Sequence, residues 1–121
     1  MAELGRLYAD GENLMRQGER GDFMTVIQSG EVHVIVEREH GEVLVRTAGP
    51  GEIVGEMAFF EKGVRSATVR AKGEVRALHV DKRTFLSRVH ADPSFAFHIA
   101  EAMSHRIREL TAELARLMER S

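Results

Sequence analysis

The sequence contains no cysteine and no tryptophan, only one tyrosine and two prolines, and no long apolar run. Without cysteine the chain has no disulfides, no thiolate nucleophile, no iron–sulfur ligation and no cysteine-based zinc site. The absence of cysteine also fits a reducing compartment, so we expect a cytoplasmic protein. No apolar segment reaches the roughly 18–20 residues that a membrane helix needs, and the first residues lack the apolar region of a secretory signal.

An excess of charge of one sign is also missing. The chain carries 17 lysines and arginines against 19 aspartates and glutamates, for a net charge of −2. A domain that binds a nucleic-acid duplex usually has a clear basic excess, because it must neutralise phosphates. We therefore expect no nucleic-acid binding by this chain alone.

Glycine is abundant but unevenly distributed, since all 11 glycines lie within the first 73 residues. Turn residues that recur between short apolar runs predict many short strands, and the glycine-free remainder permits long helices. The length of 121 residues is typical of one domain, so we expect a single domain over residues 1–121.

Alternating apolar residues predict a small antiparallel barrel or jelly roll over residues of about 4–80. The segment Thr25–Ile27 is predicted to end at Ser29-Gly30, and the β-branched run Val32–Val36 predicts a largely buried strand. The polar residues 38–41 predict a hairpin turn, and Lys72-Gly73 is predicted to be a turn between two later strands.

After residue 80 the apolar period changes to that of helices. Asp81 is a plausible N-cap for a short helix over about 82–90, while Asp92 as cap and Pro93 as first residue predict a long helix over 93–119. The second half of the long helix carries apolar residues at alternating spacings of four and three, which is a heptad pattern. We name the predicted long helix α3 and refer to these residues as the α3 stripe: Met103, Ile107, Leu110, Leu114 and Leu117.

Residues 49–69 contain the side chains best suited to bind a ligand. Free backbone N–H groups at the start of a helical turn, together with an arginine, form an anion site. The arginine fork suits two phosphate oxygens at once, while a nearby carboxylate suits the hydroxyls of a sugar. Phosphate, sugar and an apolar wall for a base together indicate a nucleotide.

The order of these residues resembles a known motif. Gly55-Glu56 followed by Arg65-Ser66-Ala67-Thr68-Val69 is similar to the phosphate-binding cassette of the cyclic nucleotide-binding domain, found in catabolite-activator-type regulators, kinase regulatory subunits and gated channels. The resemblance extends over nearly the whole chain. It implies an α+β, mainly β fold, in which a small antiparallel jelly-roll barrel precedes a short helix and a long C-terminal helix.

The resemblance also implies roles for individual residues. Glu56 would accept a hydrogen bond from the ribose 2′-hydroxyl, and Arg65 and Ser66 would bind the cyclic phosphate. The N–H groups of Met57 and Ala58 would face the sugar-phosphate. The complete set of expected ligand-binding residues is Gly55, Glu56, Met57, Ala58, Arg65, Ser66 and Ala67.

Lid residues are implied on the C-terminal helix. Where bacterial relatives place a threonine that meets the adenine amino group, this chain has Leu110, with Thr111 as the next residue. Arg106 falls at a basic lid position that could approach Glu56. The family's aromatic residue near the end of its third strand is replaced here by Thr25.

These features predict a non-enzymatic regulatory module that binds a cyclic mononucleotide, holds no metal and signals through movement of its C-terminal helix. Ser66 does not distinguish cyclic AMP from cyclic GMP, and we take cyclic AMP as the working hypothesis. The α3 stripe predicts a homodimer. The alternative is a ligand-free dimerisation or interaction module on the same fold, in which Arg65 and Glu56 form a structural ion pair.

Overall fold

The computed structural model describes residues 5–120, so the expected start of the barrel near residue 4 lies outside the described residues. The chain divides into two compact units, residues 1–85 and 86–121. The single domain expected over 1–121 stays a prediction. The elements in chain order are β1 Arg6–Tyr8, β2 Asn13–Met15, β3 Phe23–Arg38, β4 Gly41–Ala48, β5 Ile53–Val54, α1 Glu56–Glu61, β6 Thr68–Asp81, α2 Lys82–Ala91 and α3 Ser94–Glu119.

The strands form one antiparallel sheet in the order β1-β6-β3-β4, with β2 paired to β6 and β5 paired to β3. The two long strands β3 and β6 pair along most of their length and form its centre. The predicted α+β, mainly β class, a jelly roll followed by a short and a long helix, is confirmed. Among residues 5–120, no helix is long and apolar enough to cross a membrane.

Two predicted chain reversals are wrong. Ser29-Gly30 lies inside β3, and Lys72-Gly73 lies inside β6. The register shows why these segments contain glycine, because Ser29 pairs with Arg76 whereas Glu31 already pairs with Lys72. The strand β6 therefore has extra residues opposite Gly30, and a bulge bends both strands without ending either of them.

Local signals at the other element boundaries agree with the structure. Arg38 pairs with Gly41 across the predicted hairpin. The N–H of Thr84 donates to Oδ1 of Asp81 over 2.8 Å, as expected of an N-cap. The long helix α3 begins at Ser94, one residue later than predicted, and Ser94 donates from its N–H to Oδ1 of Asp92 over 3.1 Å.

The hydrophobic core lies within the first unit and is built from alternate residues of the long strands together with the short strands β1 and β2. Most of its members are small or β-branched, which suits close packing between pleated strands, while Tyr8, Leu14 and Met15 supply larger side chains from β1 and β2. The buried apolar residues with no more than 1% exposure are Met24, Ile27, Val32, Ala48, Val54, Val75, Ala77 and Val80.

Gly30 provides a test of the bulge. Its φ is +84°, and a Cβ on it would lie 2.3 Å from the carbonyl oxygen of Glu74. We expect Gly30→Ala to lower the free energy of unfolding by about 2–4 kcal/mol, because left-handed strain adds to a backbone clash. Urea denaturation measures the loss.

Gly73 is the matched control, because its φ is +76° but a Cβ there would meet nothing within 4 Å. Gly73→Ala should cost only the strain of the left-handed conformation, about 1–2 kcal/mol. Equal losses in the two variants would contradict a steric role for Gly30.

Candidate functional site

The first half of the site is the turn from β5 into α1. The N–H of Ile27 donates to the carbonyl of Glu52 over 3.0 Å, which ties the approach to β5 onto β3. Gly55 then adopts φ +78°, and α1 begins at Glu56. Because the first N–H groups of a helix have no acceptor within it, those of Glu56, Met57 and Ala58 are directed away from the helix body.

The short helix α1 is held by packing. Ala58 is buried, and the helix ends at Lys62, which adopts the left-handed conformation with φ 54° and donates its N–H to Ala58. The rings of Phe59 and Phe60 lie 5.8 and 5.5 Å from the ring of Phe85. These contacts fix the direction of a helix too short to be stable alone.

The second half of the site is the segment 63–67, which is paired with the loop between β2 and β3. The N–H of Arg65 donates to the carbonyl of Glu19 over 2.7 Å, and the N–H of Gly18 donates to the carbonyl of Arg65 over 2.9 Å. One further bond runs from the N–H of Gly21 to Gly63 over 3.2 Å. The backbone of Arg65 is therefore fixed on both sides.

The guanidinium of Arg65 joins the two halves. Nη1 donates to the carbonyl of Gly55 over 2.8 Å and Nη2 donates to the carbonyl of Phe23 over 2.6 Å. Its Cζ lies 4.7 Å from the centre of the Phe23 ring, and the whole residue is only 3% exposed. A Cβ on Gly55 would lie 2.6 Å from Nη1, so this contact requires glycine.

The charge of Arg65 is only partly compensated. Burial lowers the pKa of Arg65, while the negative charges of Asp22, Glu19 and Glu56 act in the opposite direction. Within residues 5–120 the guanidinium donates to these two carbonyls and has no carboxylate within ion-pair distance, so the structural ion pair between Arg65 and Glu56 is not formed. A buried cation that has only neutral acceptors favours a nearby anion.

The remaining cassette residues surround this cation. Met57 is 58% exposed and Ser66 is exposed, whereas Glu56 and Ala67 are half-buried. Ser66 and Ala67 follow Arg65 directly, in the bend that leads into β6. The structure therefore brings the Gly55–Ala58 and Arg65–Ala67 segments together, and the ligand contacts expected of each residue stay predictions.

The expected lid residues lie on α3, in the second compact unit. Nη1 of Arg106 lies 3.4 Å from Oε1 of Glu109 on the same helix. Leu110 is 51% exposed and Thr111 is exposed as well. Their role as a lid stays a prediction.

Four side chains behind Arg65 did not emerge from the sequence as functional. The ring of Phe23 packs against the guanidinium of Arg65. The ring of His79 packs on Phe23 and forms hydrogen bonds with the hydroxyls of Tyr8 and Thr25. The strand period could have indicated His79, because it lies two and four residues after the buried Ala77 and Val75 on β6 and therefore on the same face of the strand. No group of three or more metal-ligating side chains occurs among the residues that the structure describes.

Comparison with known proteins agrees with this geometry. The family described as the cyclic nucleotide-binding domain matches residues 6–92. The chain belongs to this family. A cyclic AMP receptor protein of Thermus thermophilus is 31% identical over 110 residues, which are 90% of this chain and 51% of that protein.

Solved structures give the same result. The catabolite activator protein of Thermus thermophilus superposes with a TM-score of 0.80 at 31% identity, over 93% of this chain and 54% of that one. A regulator of Xanthomonas campestris described as responsive to c-di-GMP superposes with a TM-score of 0.79 at 25% identity, over 93% and 58%. The chain thus spans about half the length of these regulators, and its family match ends just before α3.

The contacts of Arg65 predict a structural role beside any role in binding. Arg65→Leu leaves the carbonyls of Gly55 and Phe23 without their donor, so we expect the ligand-free protein to lose about 2–5 kcal/mol of unfolding free energy. Urea denaturation without nucleotide measures the loss.

Arg70→Leu is the control, because Arg70 is also hydrogen-bonded, through two 3.0 Å bonds to Glu42 and one of 3.1 Å from Nε to Asn13, but its side chain is partly solvent-exposed. Exposed pairs contribute at most about 1 kcal/mol. If Arg65→Leu is no more destabilising than Arg70→Leu, the two carbonyl bonds of Arg65 do not hold the fold together.

Proposed function

We propose that the chain is a cytoplasmic, non-enzymatic regulatory module that binds a cyclic mononucleotide, with cyclic AMP preferred over cyclic GMP. The observation that carries the proposal is the buried guanidinium of Arg65, tied to the carbonyl of Gly55 and lacking a carboxylate partner. A relative named for cyclic AMP supports the choice of ligand.

The cyclic phosphate is assigned to Arg65 and Ser66. A guanidinium has five N–H groups, and only two of them donate to the carbonyls of Gly55 and Phe23. The remaining N–H groups and the exposed hydroxyl of Ser66 supply donors for the phosphate oxygens. The first N–H groups of α1 add further donors from Met57 and Ala58.

Glu56 sets the orientation of the ligand. Its carboxylate cannot hydrogen-bond a phosphate oxygen as a donor, but it accepts a hydrogen bond from the ribose 2′-hydroxyl. A cyclic phosphate carries one negative charge, whereas a linear 5′-monophosphate carries more charge near Glu56 and is repelled more strongly. The site therefore favours the cyclic ligand.

We propose that the protein exists in a lid-open and a lid-closed state and that binding shifts the populations of these states. In the lid-closed state Arg106, Leu110 and Thr111 of α3 would contact the nucleotide, and in the lid-open state they would not. The α3 stripe is the proposed homodimer contact. Ile107, Leu110, Leu114 and Leu117 are each more than half exposed, and an apolar helix face of this length favours pairing with a second copy.

A ligand-free interaction module is the second candidate. The observation in its favour is that both terminal nitrogens of Arg65 already donate to carbonyls, so the guanidinium has a structural role without any nucleotide. This candidate keeps the barrel and uses the α3 stripe for association alone.

Isothermal titration separates the two candidates. We expect wild type to bind cyclic AMP more tightly than cyclic GMP, cyclic di-GMP or 5′-AMP. Arg65→Lys keeps the charge but loses the fork, so it should raise the Kd of cyclic AMP by about 10-fold or more. Arg70→Lys is the control and should leave the Kd unchanged.

The outcomes are distinct. Equal or tighter binding of 5′-AMP would contradict the cyclic-phosphate assignment. Tighter binding of cyclic di-GMP would show that the ligand is a cyclic dinucleotide and not a cyclic mononucleotide. Absence of binding by wild type to every nucleotide would favour the ligand-free module.

The homodimer is tested by charge in the α3 stripe. Leu110→Lys with Leu114→Lys places like charges in an apolar contact and should convert a dimer to a monomer in light scattering. Ala112→Lys with Ala115→Lys adds the same charge outside the stripe and should leave the dimer intact. Wild type that is monomeric at high micromolar concentration would rule out the dimer.

A further inference from the structure

A half-buried histidine lies behind the proposed phosphate site and has no role in it so far. His79, on β6, bonds through Nδ1 to the hydroxyl of Thr25 over 2.8 Å and through Nε2 to the hydroxyl of Tyr8 over 2.5 Å. Thr25 is 0% and Tyr8 is 3% exposed. The imidazole is therefore tied at both nitrogens to buried groups on two other strands.

The imidazole is connected to Arg65 through a single residue. The centres of the His79 and Phe23 rings lie 4.5 Å apart, with an angle of 65° between the ring planes. The Phe23 ring in turn lies 4.7 Å from Cζ of Arg65, and the Phe23 carbonyl accepts from Nη2. Phe23 thus contacts Arg65 by its ring and by its backbone.

The charges around His79 keep it neutral. Burial lowers the pKa of His79, and the positive charges of Arg6 on β1 and of Arg65 lower it further. At neutral pH one ring nitrogen donates and the other accepts, so the imidazole matches one hydroxyl as acceptor and the other as donor. The two hydrogen bonds therefore fix the plane of the ring.

We propose that His79 is a positioning residue for the anion site: held by Tyr8 and Thr25, it fixes the Phe23 ring and thereby the guanidinium of Arg65. The assignment of a ligand contact to Arg65 rests on the proposed function, whereas the fixed position of the guanidinium does not. A contiguous chain of contacts runs from β1 through β6 and β3 to the cassette. Positioning of this kind lowers the ordering cost when a ligand binds.

The first test uses the ligand-free protein. In ¹⁵N–¹H spectra the Nε–H of Arg65, assigned by its absence in Arg65→Lys, reports the order of the guanidinium. We expect His79→Leu to shift and broaden this signal, because the Phe23 ring loses its support. Val32→Ala is the control, since it weakens the core at a fully buried position whose strand partners are Ala48 and Ala71.

The second test uses affinity. His79→Leu should raise the Kd of cyclic AMP by about 5- to 10-fold, and His79→Gln, which retains a hydrogen-bonding group near Tyr8, should recover part of the loss. In the Arg65→Lys background the same substitution should have little further effect, because the positioned fork is gone. Val32→Ala should leave the Kd unchanged.

The results separate the two proposals. An unchanged Arg65 signal in His79→Leu, or an effect on the Kd that persists fully in Arg65→Lys, would overturn the positioning role. If wild type binds no nucleotide, the proposed function fails, and the spectrum of the ligand-free protein still decides the role of His79.

Discussion

The guanidinium of Arg65 is buried, carries a positive charge and donates to two backbone carbonyls from distant parts of the chain. A charge in this environment is costly unless its donors are satisfied, so the surrounding backbone must meet it closely. The start of β3, the turn before α1 and the segment leading into β6 all converge on this one group. The shape of the site and the stability of the barrel therefore depend on the same side chain.

This dependence explains features that would otherwise be unrelated. Gly55 has no side chain because Nη1 occupies the space, and its left-handed conformation starts α1. The carboxylates of Asp22, Glu19 and Glu56 stabilise the cation at a distance without forming an ion pair with it. These carboxylates compensate the positive charge of Arg65 only in part, and an anionic ligand would compensate the rest. This is the physical basis for assigning the phosphate to Arg65.

Much of the fold followed from local patterns, and the exceptions have a common cause. The hairpin at residues 38–41 and the cap at Asp81 depend on neighbouring residues, so the sequence predicts them well, whereas α3 begins one residue later than predicted, with Pro93 and not Asp92 at its N-cap. The glycines at 30 and 73 resembled turns but belong to a bulge inside long strands, because a glycine signals a special backbone conformation and not the direction that the chain takes next. Thr25, noted only as a missing aromatic residue, is a buried partner of His79.

The sequence by itself determined the mainly β class and the two helices that follow the strands, since these rest on patterns within short segments, whereas the cassette residues come from the resemblance to a known motif. The tertiary structure alone decided what the polar side chains of the site contact. Arg65 meets the carbonyl of Phe23 across 42 positions, and His79 meets Tyr8 across 71. Such pairs are set by strand register and by the bulge that shifts it, and neither can be read from the residues flanking each partner.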